Sequence, residues 1–121
     1  MLIRRTGECL EIIASDGCRL REILHPDKDP SPIPYSLAVA WVDPGKSTDP
    51  HRLTEETEVY LIIEGSGRMH IGPEAREVRA GDAVVIPKGE VQWIECTSEQ
   101  SLHFAAIVSP PWRMEHDLRA E

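Results

Sequence analysis

Short apolar segments bounded by turn-forming residues recur along most of the chain. Ten prolines and eight glycines separate segments of about five to eight residues rich in β-branched and aromatic side chains, which is typical of strands. The intervals are too short for the helices of βαβ units, so we expect an all-β barrel or sandwich. Gly65-Ser66-Gly67 predicts a hairpin. The predicted strands are Cys9–Ile13, Arg19–Leu24, Tyr35–Val42, Thr57–Glu64, Arg68–Ile71, Glu77–Arg79, Ala83–Ile86, Val91–Glu95 and Leu102–Val108.

One predicted strand is apolar on both faces. In Thr57–Glu64, Val59 and Leu61 alternate with Tyr60 and Ile62, as in strands that are covered on both sides. In a small barrel one face fills the lumen, and the other meets a second sheet or a second subunit. We therefore expect a homodimer formed through the outer sheet.

The chain length of 121 residues fits a single domain. We expect N-terminal strands and a proline-rich arm over residues 1–34, a barrel core over residues 35–108 and a C-terminal tail over residues 109–121. The prolines of His25–Pro34 remove donors from any sheet ladder, so this segment is predicted to be a loop. The tail is predicted to form a short helix or to lie against the barrel.

Charge and apolar patterning narrow the function classes. A formal net charge of −8 without a cluster of Lys and Arg disfavours nucleic-acid binding. No run approaches the ~20 apolar residues that span a bilayer, and the start lacks the apolar core of a secretory signal. Three cysteines without a CxxC pair predict reduced, structural thiols. We therefore expect a cytoplasmic protein with no membrane or nucleic-acid partner.

Two spaced motifs resemble those of the cupin barrels. The first motif, G-x5-H-x-H-x(3,4)-E-x6-G, is matched by residues 45–65, with Leu53 where the second histidine stands. The second, G-x5-P-x-G-x2-H-x3-N, is matched by residues 81–96, with Gln92 at the histidine position and Cys96 at the asparagine position. The matching residues are Gly45, His51, Glu58, Gly65, Gly81, Pro87 and Gly89. The chain thus resembles a small single-domain cupin with a degenerate metal motif, which implies a double-stranded β-helix, or jelly-roll, barrel.

The resemblance also implies a metal site, in reduced form. His51, Glu58 and Gln92 are the implied ligands of a divalent Zn, Fe, Ni or Mn ion. Because Leu53 cannot bind a metal and Gln92 offers only a neutral amide oxygen, any metal would be weakly held. A lumen without metal is equally compatible with these residues.

Other side chains extend the candidate site. Glu58 and Tyr60 are candidate catalytic residues, since a buried carboxylate needs a partner and a phenol can orient a ligand. Leu53, Tyr60, Gln92 and His103 are the candidate lining of a substrate pocket. His70 or His103 would complete a rearranged metal site if its strand turned it inward.

Two function classes therefore remain open. One is a metal-dependent enzyme of the dioxygenase, isomerase or cyclase type that acts on a small polar substrate. The other is a non-catalytic barrel that binds or senses a small molecule without metal. The retained His51 and Glu58 favour the first class, and the loss of two histidines favours the second.

Overall fold

The computed structural model describes residues 1–30 and 32–120. Ser31, within the predicted proline-rich loop, and Glu121, at the end of the predicted tail, lie outside the described residues. The described strands are β1 Glu11–Ile13, β2 Arg19–Leu24, β3 Ser36–Val42, β4 His51–Leu53, β5 Thr57–Glu64, β6 Ser66–Ile71, β7 Glu74–Arg79, β8 Ala83–Ile86, β9 Gln92–Cys96, β10 Leu102–Ser109 and β11 Asp117–Arg119. Single 3-10 turns occupy Thr6–Glu8 and Met114–His116.

The strands form two facing sheets. One has six strands in the order β1-β2-β3-β10-β5-β8, and the other has five in the order β11-β4-β9-β6-β7. Residues two apart on a strand share a face, so β10 turns Phe104 and Ala106 inward and Ile107 outward. The facing sides enclose an apolar core that includes Ile62, Ile94 and Phe104. The all-β jelly-roll prediction is confirmed.

Sequence patterning missed two short strands that pair with each other. β4 and β11 are antiparallel, with Asp117 opposite Leu53 and Arg119 opposite His51. Each has only three residues, which is too short for an alternating pattern to stand out. The tail therefore does more than lie against the barrel, because its last strand extends the five-stranded sheet.

The glycines after β5 form a corner and not the predicted hairpin. β5 belongs to the six-stranded sheet and β6 to the five-stranded sheet, so the chain changes sheets at Gly65, which has φ +84°. A Cβ on Gly67 would lie 2.4 Å from the backbone oxygen of Glu95. Gly65 adopts the positive φ that the corner requires, and Gly67 allows the close approach of the Glu95 backbone.

The outer face of the six-stranded sheet carries an apolar surface. Its exposed members lie on three adjacent strands: Leu61 and Ile63 on β5, Val85 on β8 and Ile107 on β10.

No helix among residues 1–30 and 32–120 is long and apolar enough to cross a membrane.

Candidate functional site

His51 is held between two carboxylates in the interior of the barrel. It opens β4, and the pairing of β4 with β11 brings Asp117 beside it. Nδ1 of His51 lies 2.8 Å from Oδ1 of Asp117, and Nε2 lies 3.4 Å from Oδ2 of Asp16. The three side chains are each less than a tenth exposed, so solvent screens their charges only weakly.

Asp117 is fixed by more than the histidine. Its Oδ2 accepts hydrogen bonds of 2.9 Å from Nε1 of Trp112 and from Oγ of Ser15. Burial alone would raise the pKa of Asp117, but the hydrogen bonds from His51, Trp112 and Ser15 and the charge of His51 hold it below its usual value. Asp117 is therefore a carboxylate, and it orients the His51 ring as its acceptor.

Asp16 reaches the same ring from the loop between β1 and β2. Its Oδ1 accepts the backbone N–H of Cys18 at 3.2 Å, across Gly17 at φ +92°. This turn directs Oδ2 towards His51. Burial next to Asp16 raises the pKa of the Cys18 thiol, which therefore stays protonated.

A second set of hydrogen bonds crosses the lumen from one sheet to the other. Nε2 of Gln92 on β9 donates to Oε1 of Glu58 on β5 at 2.9 Å, and the hydroxyl of Tyr60 donates to Oε1 of Gln92 at 3.0 Å. Tyr60 also packs on Phe104, with ring centroids 4.3 Å apart. The amide of Gln92 is thus fixed at both of its polar atoms.

The pKa values of Glu58 and His51 depend on their burial and on their charged neighbours. Desolvation raises the pKa of Glu58 to about 7, against the opposing effects of the Gln92 hydrogen bond and the His51 charge. Desolvation alone would lower the pKa of His51, but the hydrogen bond to Asp117 and the negative charges of Asp16, Asp117 and Glu58 raise it above its usual value. We call Asp16, His51, Glu58, Tyr60, Gln92 and Asp117 the lumen cluster.

The structure brings most of the predicted site residues together. His51, Glu58, Tyr60 and Gln92 belong to the lumen cluster, and Leu53 lies buried on the same face of β4 as His51. The register expected from the first motif therefore holds.

The histidines of β6 and β10 do not join the cluster, which corrects the prediction that His103 lines the pocket. His103 turns away from the core and stacks on Trp41 with ring centroids 4.4 Å apart. His70 likewise stacks on Trp93 at 4.2 Å and contacts Glu95 at 2.9 Å. Each occupies the outward-facing position of its strand, so neither completes a rearranged metal site.

Sequence analysis missed Asp16 and Asp117. Asp117 lies 66 residues from His51 along the chain and Asp16 lies in a loop, so no motif spacing connects either of them to the ring. Pairing of β11 with β4 and the turn at Gly17 create the contacts. Only the tertiary fold reveals them.

The lumen cluster does not fit the metal site that the motif implies. Leu53 has no donor atom, and both polar atoms of the Gln92 amide are engaged by Tyr60 and Glu58. Within residues 1–30 and 32–120, no group of three or more His, Cys, Asp and Glu side chains is arranged to hold a metal ion. We therefore assign no role at this site to a metal.

Two surface clefts lie apart from the lumen cluster. One of about 380 Å³ opens between β7 and β8 and is lined by Met69, Val78 and Val85 among others. Another of about 310 Å³ lies beside His25 and Trp112. Neither lining includes a residue of the lumen cluster. The buried polar side chains of the cluster and the two clefts therefore lie in different parts of the molecule.

Comparison with known proteins agrees with the fold and the motifs. The cupin domain model matches residues 39–108, which is more than half of the chain, and the chain therefore belongs to the cupin family. An uncharacterized protein of Methanocaldococcus jannaschii is 35% identical over 103 residues, which are 85% of this chain and 82% of that one.

Two further relatives have named activities and match over shorter stretches. The oxalate-binding protein of Thermotoga maritima is 34% identical over 65 residues, covering 54% of each chain. The dimethylsulfoniopropionate lyase DddW of Ruegeria pomeroyi is 39% identical over 69 residues, covering 57% of this chain and 44% of the lyase.

Solved structures share the fold at low sequence identity. The crystal structure of a predicted oxalate decarboxylase from Thermotoga maritima superposes with a TM-score of 0.79 at 23% identity, covering 90% of this chain and 99% of the other. A cupin 2 conserved barrel domain protein from Salinispora arenicola gives a TM-score of 0.77 at 18% identity, covering 96% and 92%.

Proposed function

We propose that this cupin binds a small, neutral, hydroxyl-bearing molecule in its lumen without a metal ion. The observation that carries the proposal is the hydrogen-bonded chain of Glu58, Gln92 and Tyr60 across the lumen. Glu58 and Gln92 stand where the motif would place metal ligands, and Oε2 of Glu58 is left for a ligand. Buried polar groups that converge from several strands are a feature of small-molecule sites.

The charge of the lumen cluster selects against anions. Asp16, Glu58 and Asp117 are acidic, and His51 is the one basic member of the cluster. A free dianion such as oxalate would have to approach these carboxylates with no metal to offset their charge. Hydroxyl groups suit the cluster better, because each can donate to a carboxylate and accept from the ring.

The donor set favours a binding module over a metal-dependent dioxygenase, isomerase or cyclase. Such an enzyme needs open coordination positions on a firmly held ion, whereas Leu53 supplies no ligand and Gln92 is already hydrogen bonded at both polar atoms. Tyr60, a candidate catalytic residue by sequence, directs its proton to Gln92. In this proposal Glu58 and Gln92 contact the ligand, and Tyr60 positions Gln92.

Ligand screening in the presence of a chelator tests the proposal. Thermal shift and calorimetry with EDTA would compare small polyols and monosaccharides with oxalate. We expect stabilisation by a hydroxylated compound and none by oxalate. Ligands that act only after Mn²⁺, Ni²⁺ or Zn²⁺ is added would overturn the proposal.

A matched pair of variants locates the binding. Glu58→Gln keeps the shape and removes the carboxylate, so the affinity for the hydroxylated compound should fall tenfold or more, in line with the ~1.5–3 kcal/mol of a hydrogen bond to a charged group. Glu77→Gln is the control, because Glu77 is exposed on β7 and pairs with Arg68. Equal affinities in the two variants would place binding outside the lumen cluster.

We also propose a homodimer formed through the outer face of the six-stranded sheet. Support comes from the exposed Leu61, Ile63, Val85 and Ile107, which form one apolar surface over three adjacent strands. Monomeric proteins seldom leave such a patch uncovered. A twofold contact between two copies of this face would bury the same residues on each.

A cytoplasmic location is the remaining part of the proposal. Cys9, Cys18 and Cys96 are unpaired thiols, and Cys18 and Cys96 are buried in the core. Unpaired cysteines are characteristic of reducing compartments. Subcellular fractionation of the native host checks this, and recovery outside the cytoplasm would contradict it.

A further inference from the structure

The lumen cluster is closed to solvent in this structure. Each of its six side chains is buried, and the two surface clefts are lined by other residues. A molecule that binds in the lumen, as the proposed function requires, can therefore enter only when part of the barrel wall moves.

Residues 113–120, which we call the lid segment, cover the His51 end of the lumen. They contain β11, which pairs with β4 and brings Asp117 to His51. Every residue of the lid segment is at least partly exposed, and its apolar members Met114 and Leu118 are 72% and 42% exposed. The segment is thus held in place without the burial of a large apolar side chain.

Hydrogen bonds and ion pairs hold the lid segment instead. Arg119 lies 2.7 Å from the carboxylate of Asp49 and donates to the backbone oxygen of Ser15, while Nδ1 of His116 lies 2.6 Å from Oε2 of Glu56. Arg119 and Asp49 are each at least half exposed, so water can replace their contact at little cost. An element with few buried apolar contacts opens at a lower free energy than the core.

The strands on the other sides of the cluster are anchored in the core. β5 and β9 carry Ile62 and Ile94, which are 1% and 0% exposed. Displacing either strand would bring these side chains into water, at a cost that approaches global unfolding. The lid segment is therefore the part of the wall that moves most readily.

Trp112 marks where the moving part begins. Its carbonyl accepts from Nε2 of His25 at 2.8 Å, and its amide donates to Oγ of Ser36 at 3.0 Å. Nδ1 of His25 accepts from the amide of Asp27 at 3.1 Å, so Nε2 carries the proton of that ring. The backbone of Trp112 thus stays on the barrel when the lid segment leaves, and its indole loses the contact with Asp117.

We propose that the lid segment opens at β11 and that this opening is the entrance to the lumen, so that its position regulates access to the site. Opening separates Asp117 from His51 and exposes the His51 ring at the mouth of the barrel. Closure restores the 2.8 Å contact between them. The admission of a ligand rests on the proposed function. The admission of water does not, because it follows from the burial of the cluster and the contacts of the lid segment.

A disulfide that locks the lid segment tests the entrance. Arg52 and Leu118 are opposite each other in the β4–β11 ladder, and both are exposed. Opposite Cα atoms of an antiparallel pair lie about 4.5–5.5 Å apart, within the range that a disulfide spans. Arg52→Cys with Leu118→Cys should therefore cross-link on oxidation. A Cys9→Ser background removes the half-buried native thiol, while Cys18 and Cys96 are buried.

Hydrogen exchange of the Gln92 side-chain amide reports the entry of water into the lumen. This amide is buried and donates to Glu58. NMR in EDTA would compare the oxidised and reduced forms of the double-cysteine protein, with the buried amide of Ile94, bonded to Oγ1 of Thr48, as the core reference. Relative to Ile94, we expect oxidation to slow the exchange of Gln92 at least about tenfold. Equal relative rates in the two forms would overturn the proposal, because water would then enter elsewhere.

A variant that loosens the lid segment gives the opposite change without a cross-link. Arg119→Gln removes the ion pair and the backbone contact described above, so the exchange of Gln92 should become about two- to fivefold faster. Arg68→Gln is the matched control, because Arg68 pairs with Glu77 on the exposed face of β6, and it should leave the rate unchanged. Equal rates in Arg119→Gln and Arg68→Gln would contradict the lid.

The exchange experiments separate the lid from the proposed function. No ligand is present in them, so a lock that leaves the Gln92 rate unchanged refutes the lid even when the chelator-treated protein binds a polyol. A protein that binds no polyol but shows exchange controlled by the lock refutes only the proposed function.

Discussion

Nδ1 of His51 and Oδ1 of Asp117 are 2.8 Å apart, and this contact joins the lumen to the last strand of the chain. Asp117 sits opposite Leu53 in the β4–β11 ladder, so folding of the tail and orientation of the ring are coupled. The C-terminal residues are therefore part of the candidate site.

Asp117→Asn should weaken both the tail and the ring orientation. The asparagine amide would face Nε1 of Trp112 and Oγ of Ser15, which now donate to a carboxylate oxygen. Loss of these charge-assisted bonds in a buried place should reduce the free energy of unfolding by about 1–3 kcal/mol. Urea denaturation measures it. Glu115→Gln, at an exposed neighbouring position, is the control and should be within about 0.5 kcal/mol of the wild type.

Glu58 should make the protein less stable as the pH rises. Its pKa increases from 4.5 in the unfolded chain to about 7 in the folded protein, so the folded state holds the proton more tightly. The contribution of Glu58 to stability should be greatest below pH 4.5 and be lost as the pH rises through 7, by roughly 3 kcal/mol at 1.36 kcal/mol per unit.

Glu58→Gln isolates this contribution. The variant should lose much of the slope between pH 4.5 and 7 and be more stable than the wild type at pH 8, as measured by denaturation at a series of pH values. An unchanged slope would mean that Glu58 titrates normally. Glu77→Gln, on the exposed face of β7, should retain the wild-type slope.

His116 should stabilise the docking of the C-terminal tail on the barrel in a pH-dependent way. Its Nδ1 lies 2.6 Å from Oε2 of the buried Glu56, and this hydrogen bond raises the pKa of His116 above its usual 6.5. The stabilising effect is complete below pH 6.5 and is lost as the pH rises through the folded pKa. The hydrogen bond from the Thr54 amide to the His116 carbonyl, at 3.0 Å, reports on tail docking.

The amide of Ala120 donates to the carbonyl of Pro50 at 2.9 Å. Hydrogen exchange at the amides of Thr54 and Ala120 therefore measures how firmly the tail is docked. Protection in the wild type should decline above the folded pKa of His116, and His116→Gln should show low protection throughout the range. His70→Gln is the control, since His70 pairs with Glu95 on the outer face of the same sheet. Identical exchange in wild type and His116→Gln would refute the role of the Glu56 contact.

A charge on the outer face of the six-stranded sheet should separate the proposed dimer. Leu61→Lys places an ammonium group at the centre of the apolar surface, where a twofold contact would bury it unpaired. Light scattering after gel filtration should give twice the chain mass for wild type and one chain mass for the variant. Met114→Lys, at an exposed position in the tail, should remain dimeric. A monomeric wild type would refute the proposed interface.

Local patterning predicted much of the fold because most of its strands alternate clearly. β2, β5 and β8 have the predicted bounds. The three-residue strands β4 and β11 were beyond this kind of inference, whereas β1 lies within a predicted strand. β11 exists because it pairs with β4, and that pairing is not encoded in its own three residues.

The candidate site was predictable only where the motif spacing sets the register. His51, Glu58 and Gln92 meet in the lumen as expected, and Leu53 is buried on the same face of β4 as His51, since alternate residues of a strand share a face. His103 falls on the other face of β10, and motif spacing does not extend to that strand. Asp16 and Asp117 approach from a loop and from the tail, so their role depends on tertiary contacts that the sequence pattern does not contain.

Restoring the missing histidines should convert the lumen into a metal site. Leu53→His with Gln92→His would place the family's full ligand set on faces that already point into the barrel. Zinc binding by calorimetry should become stoichiometric in this double variant. Arg52→His is the control, because position 52 is exposed on the other face of β4, and it should not bind zinc at the lumen.

Metal analysis of the wild-type protein tests the central claim most directly. Protein purified without chelator and without nickel resin is incubated with Zn²⁺, Fe²⁺, Ni²⁺ or Mn²⁺ and desalted. The metal content per chain is then measured by inductively coupled plasma mass spectrometry. We expect no stoichiometric metal under any of these conditions. One ion per chain that disappears in Glu58→Ala would contradict a metal-free lumen.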